Sequence, residues 1–414
     1  MTILILLFCL LLYYTSYKRS VVRLFAALLI CSLFFSIVLY GEDGLITKSK
    51  TFHFIWIVIT LCLIILPWRN FRKIQYISCE NEKKVDNLAK VLIILTIFLS
   101  ISSGILSYYV IKNVADINVF KYVDGPTDFY YSLGIDLRGF LLTTLLYPIS
   151  YLLIPLFFYY LSRKRKLMVT GCFIGSLLSI FYGLTYFSRS HMIHFVLLYL
   201  FAFVLLKNTL SSKQKKTITI IFFIFGILVI SGFTLISMSR FDGKQYSTAH
   251  NTTHKIENTT LLSAMDYVGM WWSNSEELFS RFDFNTLKGG IAFGSLRNFV
   301  ETATFGLIKN NSHSVEKDRY KLMREYSGSF IGVGAYTLYD FGPFIGLFVY
   351  LLYFLFLRKL KPRNSVITIH KLLYTIALAQ LPLFAIFYSS LNIIILLLFF
   401  LIPISLYLRI KFSN

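Results

Sequence analysis

The sequence predicts an all-α polytopic integral membrane protein of about eleven transmembrane helices, with a large outer loop and a re-entrant or interfacial helix. Three observations carry that reading. Of the 414 residues, 56% are hydrophobic and 15% charged, against about 25% charged in a soluble domain. Apolar stretches of about 20 residues, enough to cross a bilayer, recur along the chain. The basic residues gather in alternate loops between them. The composition excludes a soluble enzyme and a disordered chain. Eight prolines and no repeated period exclude fibrous and solenoid classes.

The apolar runs give spans at 2–17, 21–40, 51–68, 88–111, 139–161, 167–187, 191–207, 217–238, 342–357, 367–388 and 391–408. The first is short, and Lys18-Arg19 follows it. A signal peptide has its charge before the apolar core, so a retained helix with an outer N-terminus is expected. Taken alternately, the loops of one side hold 24 of the 41 Lys and Arg but three of the 20 acids, Glu80, Glu82 and Asp86. The other side keeps 17 of each, so the formal charge of +21 lies wholly on the first. That side is cytoplasmic by the positive-inside rule, and the C-terminus lies with it. The charge is therefore a topological signal, and no nucleic-acid partner is expected.

Three regions follow: an eight-helix region 1–238, an outer segment 239–341 and a three-helix region 342–414. The inner loops are short, the longest being 69–87, so chemistry belongs to the outer segments 112–138 and 239–341. ATP and nucleotide-sugar donors are not expected on that face, and the chain has no P-loop, GxGxxG or Asp-x-Asp motif.

Arg189, in Tyr186-Phe187-Ser188-Arg189-Ser190-His191, is the only charge of an outer hairpin between two spans. An Arg there opposes the positive-inside bias and costs insertion energy, so a binding role is expected. Arg240 ends the span 217–238 and Arg138 opens 139–161 in the same way. For these two, phosphate binding and snorkelling to headgroups stay equally open. A guanidinium grips phosphate oxygens bidentately. Two or three at one depth suit a lipid-linked pyrophosphate and would stabilise it as a leaving group without a metal.

Within 239–341, the periodicity predicts an amphipathic helix over 261–282, with Thr259 or Thr260 as N-cap. It carries Trp271, Trp272 and Arg281. The tryptophans fit sugar stacking and interfacial anchoring equally well. A second apolar stretch, 289–307, holds Arg297 and Glu301 at i, i+4 and would lie in or dip into the interface. The segment closes on His313, Arg319, Tyr320, Lys321, Arg324, Glu325 and Tyr326, whose arginines and aromatics suit phosphates and sugars. Gly342-Pro343 then breaks the run 330–357 into a short re-entrant or interfacial helix and a span. Asp340, beside the break, reads as a cap or as an active-site carboxylate. An attacking sugar hydroxyl must lose its proton. Asp242, Glu301, His313, Glu325 and Asp340 are the candidate bases.

Cys9, Cys31, Cys62 and Cys172 fall within spans and Cys79 in an inner loop, so no disulfide framework is expected. His191 and His194 (i, i+3) and His250 and His254 (i, i+4) lack a third ligand. They read as packing and loop residues, and no metal or cofactor is expected.

Two motifs, Gly183-Leu184-Thr185-Tyr186-Phe187-Ser188-Arg189 and Gly328 to Gly346 with its Tyr339-Asp340-Phe341-Gly342-Pro343, carry a resemblance. With one large outer loop before the last three helices, the chain resembles the O-antigen polymerase (Wzy-type oligosaccharide repeat unit polymerase) family of bacterial inner membranes. The resemblance implies a GT-C-like, metal-independent glycosyltransferase. Its substrates would be undecaprenyl-pyrophosphate-linked oligosaccharides, the growing chain passing from its carrier to a new repeat, with a chain-length regulator as a possible partner. It implies that Arg189 and an arginine of the large loop engage the pyrophosphate. The related O-antigen ligases place an essential His in this loop region, and His313 would correspond. Its spacing to the next glycine, Gly328, departs from the ligase pattern, so its role stays open.

Competing readings are the ligase itself and a lipid-linked oligosaccharide flippase, whose usual internal repeats are not seen. A polyprenyl-phosphate-sugar glycosyltransferase would use Glu42-Asp43 in the first outer loop. A membrane acyltransferase would need His370 or His53, neither of which has a supporting motif.

Overall fold

A computed structural model describes residues 2–16, 20–45, 51–114, 143–241, 258–280, 286–304, 307–308 and 330–409. It is almost wholly helical. The first part of the chain forms α1 (Thr2–Thr15), α2 (Ser20–Leu45), α3 (Thr51–Ile65), the short strand β1 (Tyr76–Ser78) and α4 (Glu82–Asn113). Then come α5 (Leu153–Ser162), α6 (Lys166–Ser176), α7 (Leu178–Leu184), α8 (Arg189–Leu206) and α9 (Ser212–Phe241). The rest comprises α10 (Thr259–Gly269), α11 (Trp271–Ser280), α12 (Gly294–Ala303), α13 (Gly332–Leu360), β2 (Val366–Thr368), α14 (Ile369–Leu383) and α15 (Leu391–Arg409).

Among the described residues, eight helical segments are long and apolar enough to cross a membrane. They are Ser20–Tyr40, Phe52–Asn70, Glu82–Asn113, Thr143–Ser162, Lys166–Leu184, Arg189–Thr209, Gly332–Leu360 and Leu391–Arg409. The chain is a multi-pass, all-α membrane protein. The remaining three expected spans meet other helices. The 2–17 stretch forms the 14-residue α1, and 217–238 lies in the 30-residue α9, several of whose side chains are outside the described residues. The expected span 367–388 is shorter than its apolar run. Its first two residues join β2, and α14 ends at Leu383, just past Pro382, after 15 residues.

Two compact units make up the chain. The first comprises residues 1–72, 245–362 and 378–398. In it α1 packs on α2, and the Arg23 guanidinium lies 4.4 Å over the Tyr13 ring while donating to its hydroxyl at 2.7 Å. Trp56 Nε1 donates to the Gly334 carbonyl at 3.0 Å, joining α3 to α13. Trp68 donates to the Tyr353 hydroxyl at 3.0 Å, and that hydroxyl donates to the Leu378 carbonyl at 3.1 Å. Such buried indole and phenol groups need partners.

The second unit comprises residues 73–244, 363–377 and 399–414. Its β1 and β2 pair in parallel, with Ile77 opposite Ile367. Asn81 caps α4, its side chain accepting from Lys84 N at 3.1 Å. Arg163 pairs with Glu82, and Arg165 Nη1 meets both Asp86 oxygens at 2.6 Å. The bond to Asp86 raises the Arg165 pKa further, keeping the guanidinium charged.

Helix α6 lies close against α4 through a small-residue step, Gly171-x-x-x-Gly175, the spacing that lets helix backbones approach. A Cβ at Gly171 would stand 3.0 Å from Ile93 Cδ1. One at Gly175 would collide with Thr96 Oγ1 and lie 2.6 Å from Leu153 Cδ1. Gly175→Leu should therefore force α6 off α4 and lower stability by about 2 kcal/mol or more. Thermal unfolding of the detergent-purified variant checks this, and an unchanged midpoint would count against the packing described.

Candidate functional site

The chemistry-bearing residues fall in one hairpin of the second unit and one helical cluster of the first. The hairpin joins α7 to α8. Phe187 takes a left-handed φ of 47°, and the turn closes through Ser188 N–H to the Gly183 carbonyl at 2.8 Å. A Cβ at Gly183 would lie 2.6 Å from His191 Cβ, so only glycine fits there. Ser188 is extended (φ −87°, ψ 109°), and Arg189 is the first residue of α8.

Arg189 is 8% exposed. The first turn of a helix presents N–H groups without intrahelical acceptors, at the positive end of the helix dipole. A buried guanidinium at that end is unfavourable by itself and concentrates donors suited to an anion.

Ser188 Oγ lies 2.7 Å from Ser190 Oγ and 3.0 Å from His191 Nδ1. His191 meets Tyr147 and Tyr182 edge-on at 5.3 and 5.2 Å, and these two tyrosines stack at 4.2 Å. His194 is buried and approaches Tyr151 edge-on at 6.3 Å. Both histidines thus pack among aromatic rings. Among the described residues, no three His, Cys, Asp or Glu side chains gather so as to hold a metal ion. The tyrosine pair beside His191 is not visible in the sequence, because Tyr147 and Tyr182 belong to separate apolar runs without a linking motif.

The first unit holds the second group. The helix expected over 261–282 is two, α10 and α11, meeting at Met270. Ser32 Oγ of α2 donates to the Val268 carbonyl at 2.6 Å and accepts from Trp271 Nε1 at 2.6 Å, inserting a side chain where the ladder gives way. The cap is Asn258, accepting from Leu261 N at 2.9 Å, instead of Thr259 or Thr260. Asn is the stronger N-cap residue, and it stands one position before them. Trp271 and Trp272 are 3% and 1% exposed. Trp272 stacks on His53 at 5.4 Å. Both rings are thus enclosed in the core of the first unit.

Helix α13 breaks at Gly342, whose φ of 75° and ψ of 178° lie outside the range of L-residues. Pro343 follows, where its missing N–H costs nothing at the start of a new helical run. Before the break, Asp340 is 2% exposed. Its Oδ1 accepts from Ile291 N at 3.0 Å and its Oδ2 from Ala292 N at 2.8 Å, while its carbonyl accepts from Gly289 N at 2.9 Å. Asp340 thus secures the turn that leads into α12, a cap for a distant segment and not for its own helix. On α12, Arg297 is exposed and Glu301 half-buried, and no ion pair joins them.

Arg240 lies in the helical backbone of α9, its side chain outside the described residues. Arg138, Asp242, Arg281, His313, Arg319, Arg324, Glu325 and Tyr326 also lie outside them. No family model, curated protein or solved structure matches the chain.

Proposed function

We propose that the chain is a polymerase of lipid-linked oligosaccharides in the bacterial inner membrane. It would have eleven crossings, a periplasmic N-terminus, a cytoplasmic C-terminus and a GT-C-like arrangement around the outer segment 239–341. The observation that carries the reading is the buried Arg189 at the first turn of α8, flanked by Ser188, Ser190 and His191. A pyrophosphate headgroup needs such charged, bidentate donors in a site of low dielectric.

The reaction is a glycosyl transfer. A hydroxyl of the incoming repeat attacks the anomeric carbon of the growing chain, and the bond from that carbon to the undecaprenyl pyrophosphate breaks. The pyrophosphate leaves with the electron pair, its charge met by Arg189 and, in the proposal, by Arg240 or another arginine of the outer segment. The hydroxyl proton passes to a base. Glu301 suits that role better than Asp340, whose two oxygens are already engaged by backbone N–H groups. His313, Asp242 and Glu325 are the other candidates.

Deleting the gene and separating surface and carrier-linked polysaccharides on a gel tests the proposal. The expected result is single repeats at the surface with no ladder, restored by the wild-type gene. Long polymer stranded on the carrier would indicate a ligase, and absence of any exported repeat a transporter; either sinks the polymerase reading.

A further inference from the structure

The recess between the starts of α4 and α6 lies within the second unit and plays no part in the transfer chemistry. It is an open recess of about 280 Å³, lined by Asp86, Lys90, Arg165, Lys166, Leu167 and Met168. Its charges do not balance. Asp86 accepts from Arg165 through both oxygens and from the Tyr160 hydroxyl at 2.9 Å, so the single carboxylate is matched by a single guanidinium. Lys90 and Lys166 remain exposed, and neither forms an ion pair with a described residue. The recess therefore offers two unmatched ammonium groups.

The surroundings select among anions. Leu167, between the charges, is 86% exposed. From Lys90 an exposed apolar strip runs down α4 through Val91, Ile94, Phe98, Ile101 and Ile105, each 53 to 69% exposed. These residues recur at three- and four-residue steps, so they form one face of the helix. That face lies in a segment long and apolar enough to cross a membrane. A water-soluble anion would use the ammonium groups and leave this strip idle. An amphiphile uses both, with its headgroup in the recess and an acyl chain along the strip.

We propose that this recess binds an anionic phospholipid of the leaflet it faces, its phosphate held between Lys90 and Lys166 and its acyl chain laid on α4. The site is independent of the reading of Arg189 and of the reaction. Both lysines are exposed, so their replacement leaves the core intact.

The test uses the full chain purified in a non-ionic detergent. Wild type, Lys90→Gln/Lys166→Gln and Leu167→Glu are titrated with phosphatidylglycerol or phosphatidylethanolamine, and bound lipid is counted by native mass spectrometry. The wild type should prefer phosphatidylglycerol by about tenfold or more, since each basic residue near an anionic headgroup contributes about 1 kcal/mol. Each variant should lose most of that preference at an unchanged melting temperature. An excess of inorganic phosphate should leave the lipid bound. Equal retention of the two lipids by wild type, an unchanged preference in both variants, or displacement by inorganic phosphate overturns the proposal.

Discussion

Arg189→Ala should abolish the polysaccharide ladder in a deletion strain while single repeats still reach the surface. Three features converge on the expectation: a guanidinium nine-tenths buried, its place at the positive end of the α8 dipole, and the Ser188–His191 contact that fixes the turn. Removing one preorganised donor from a developing anion costs about a hundredfold or more in rate. Arg189→Lys keeps the charge and loses the planar fork, so it should recover only a small part of the activity. Protein level in the membrane is measured alongside. A full ladder from Arg189→Ala at normal level would remove the residue from the reaction, whatever the fate of the polymerase proposal.

Asp340→Ala should act on stability first. Two backbone N–H groups, of Ile291 and Ala292, would lose a charged acceptor inside the first unit. Hydrogen bonds to charged groups contribute about 1.5 to 3 kcal/mol each, so a loss of about 3 kcal/mol or more is expected. Asp340→Asn keeps one good acceptor and should fall roughly midway. Thermal unfolding in detergent and the ladder assay together decide the role. Activity that falls in step with folded protein fits a residue that secures the turn before α12. A dead Asp340→Asn at full stability would return Asp340 to the list of bases and contradict the role described.

Features set by local residue types were legible in the sequence. Eight of the eleven apolar runs lie in described helical segments long and apolar enough to cross a membrane, as at 391–408 against Leu391–Arg409. Gly342-Pro343 breaks its helix because one residue permits a positive φ and the other lacks an N–H. Arg189 stands at a helix start because the hairpin around it is short. Features set by distant partners were not legible. Trp271 and Trp272 carry the residue types of an interfacial pair, and only the approach of Ser32 and His53 makes them core. Asp340 sits beside a break, but its hydrogen-bond partners lie in a segment some fifty residues earlier, on the order of which local reasoning is blind. The shortening of the 367–388 span has the same origin, since β2 exists only by pairing with β1.

That pairing bears on the order in which the molecule can be made. Residues 76–78 leave the ribosome about 290 residues before their partners at 366–368. A chain released before residue 366 would present β1 as an unpaired edge, open to proteases and to other strands. The strand pair of the second unit can therefore form only once the chain has been made as far as residue 368, so it marks such chains apart from those interrupted earlier.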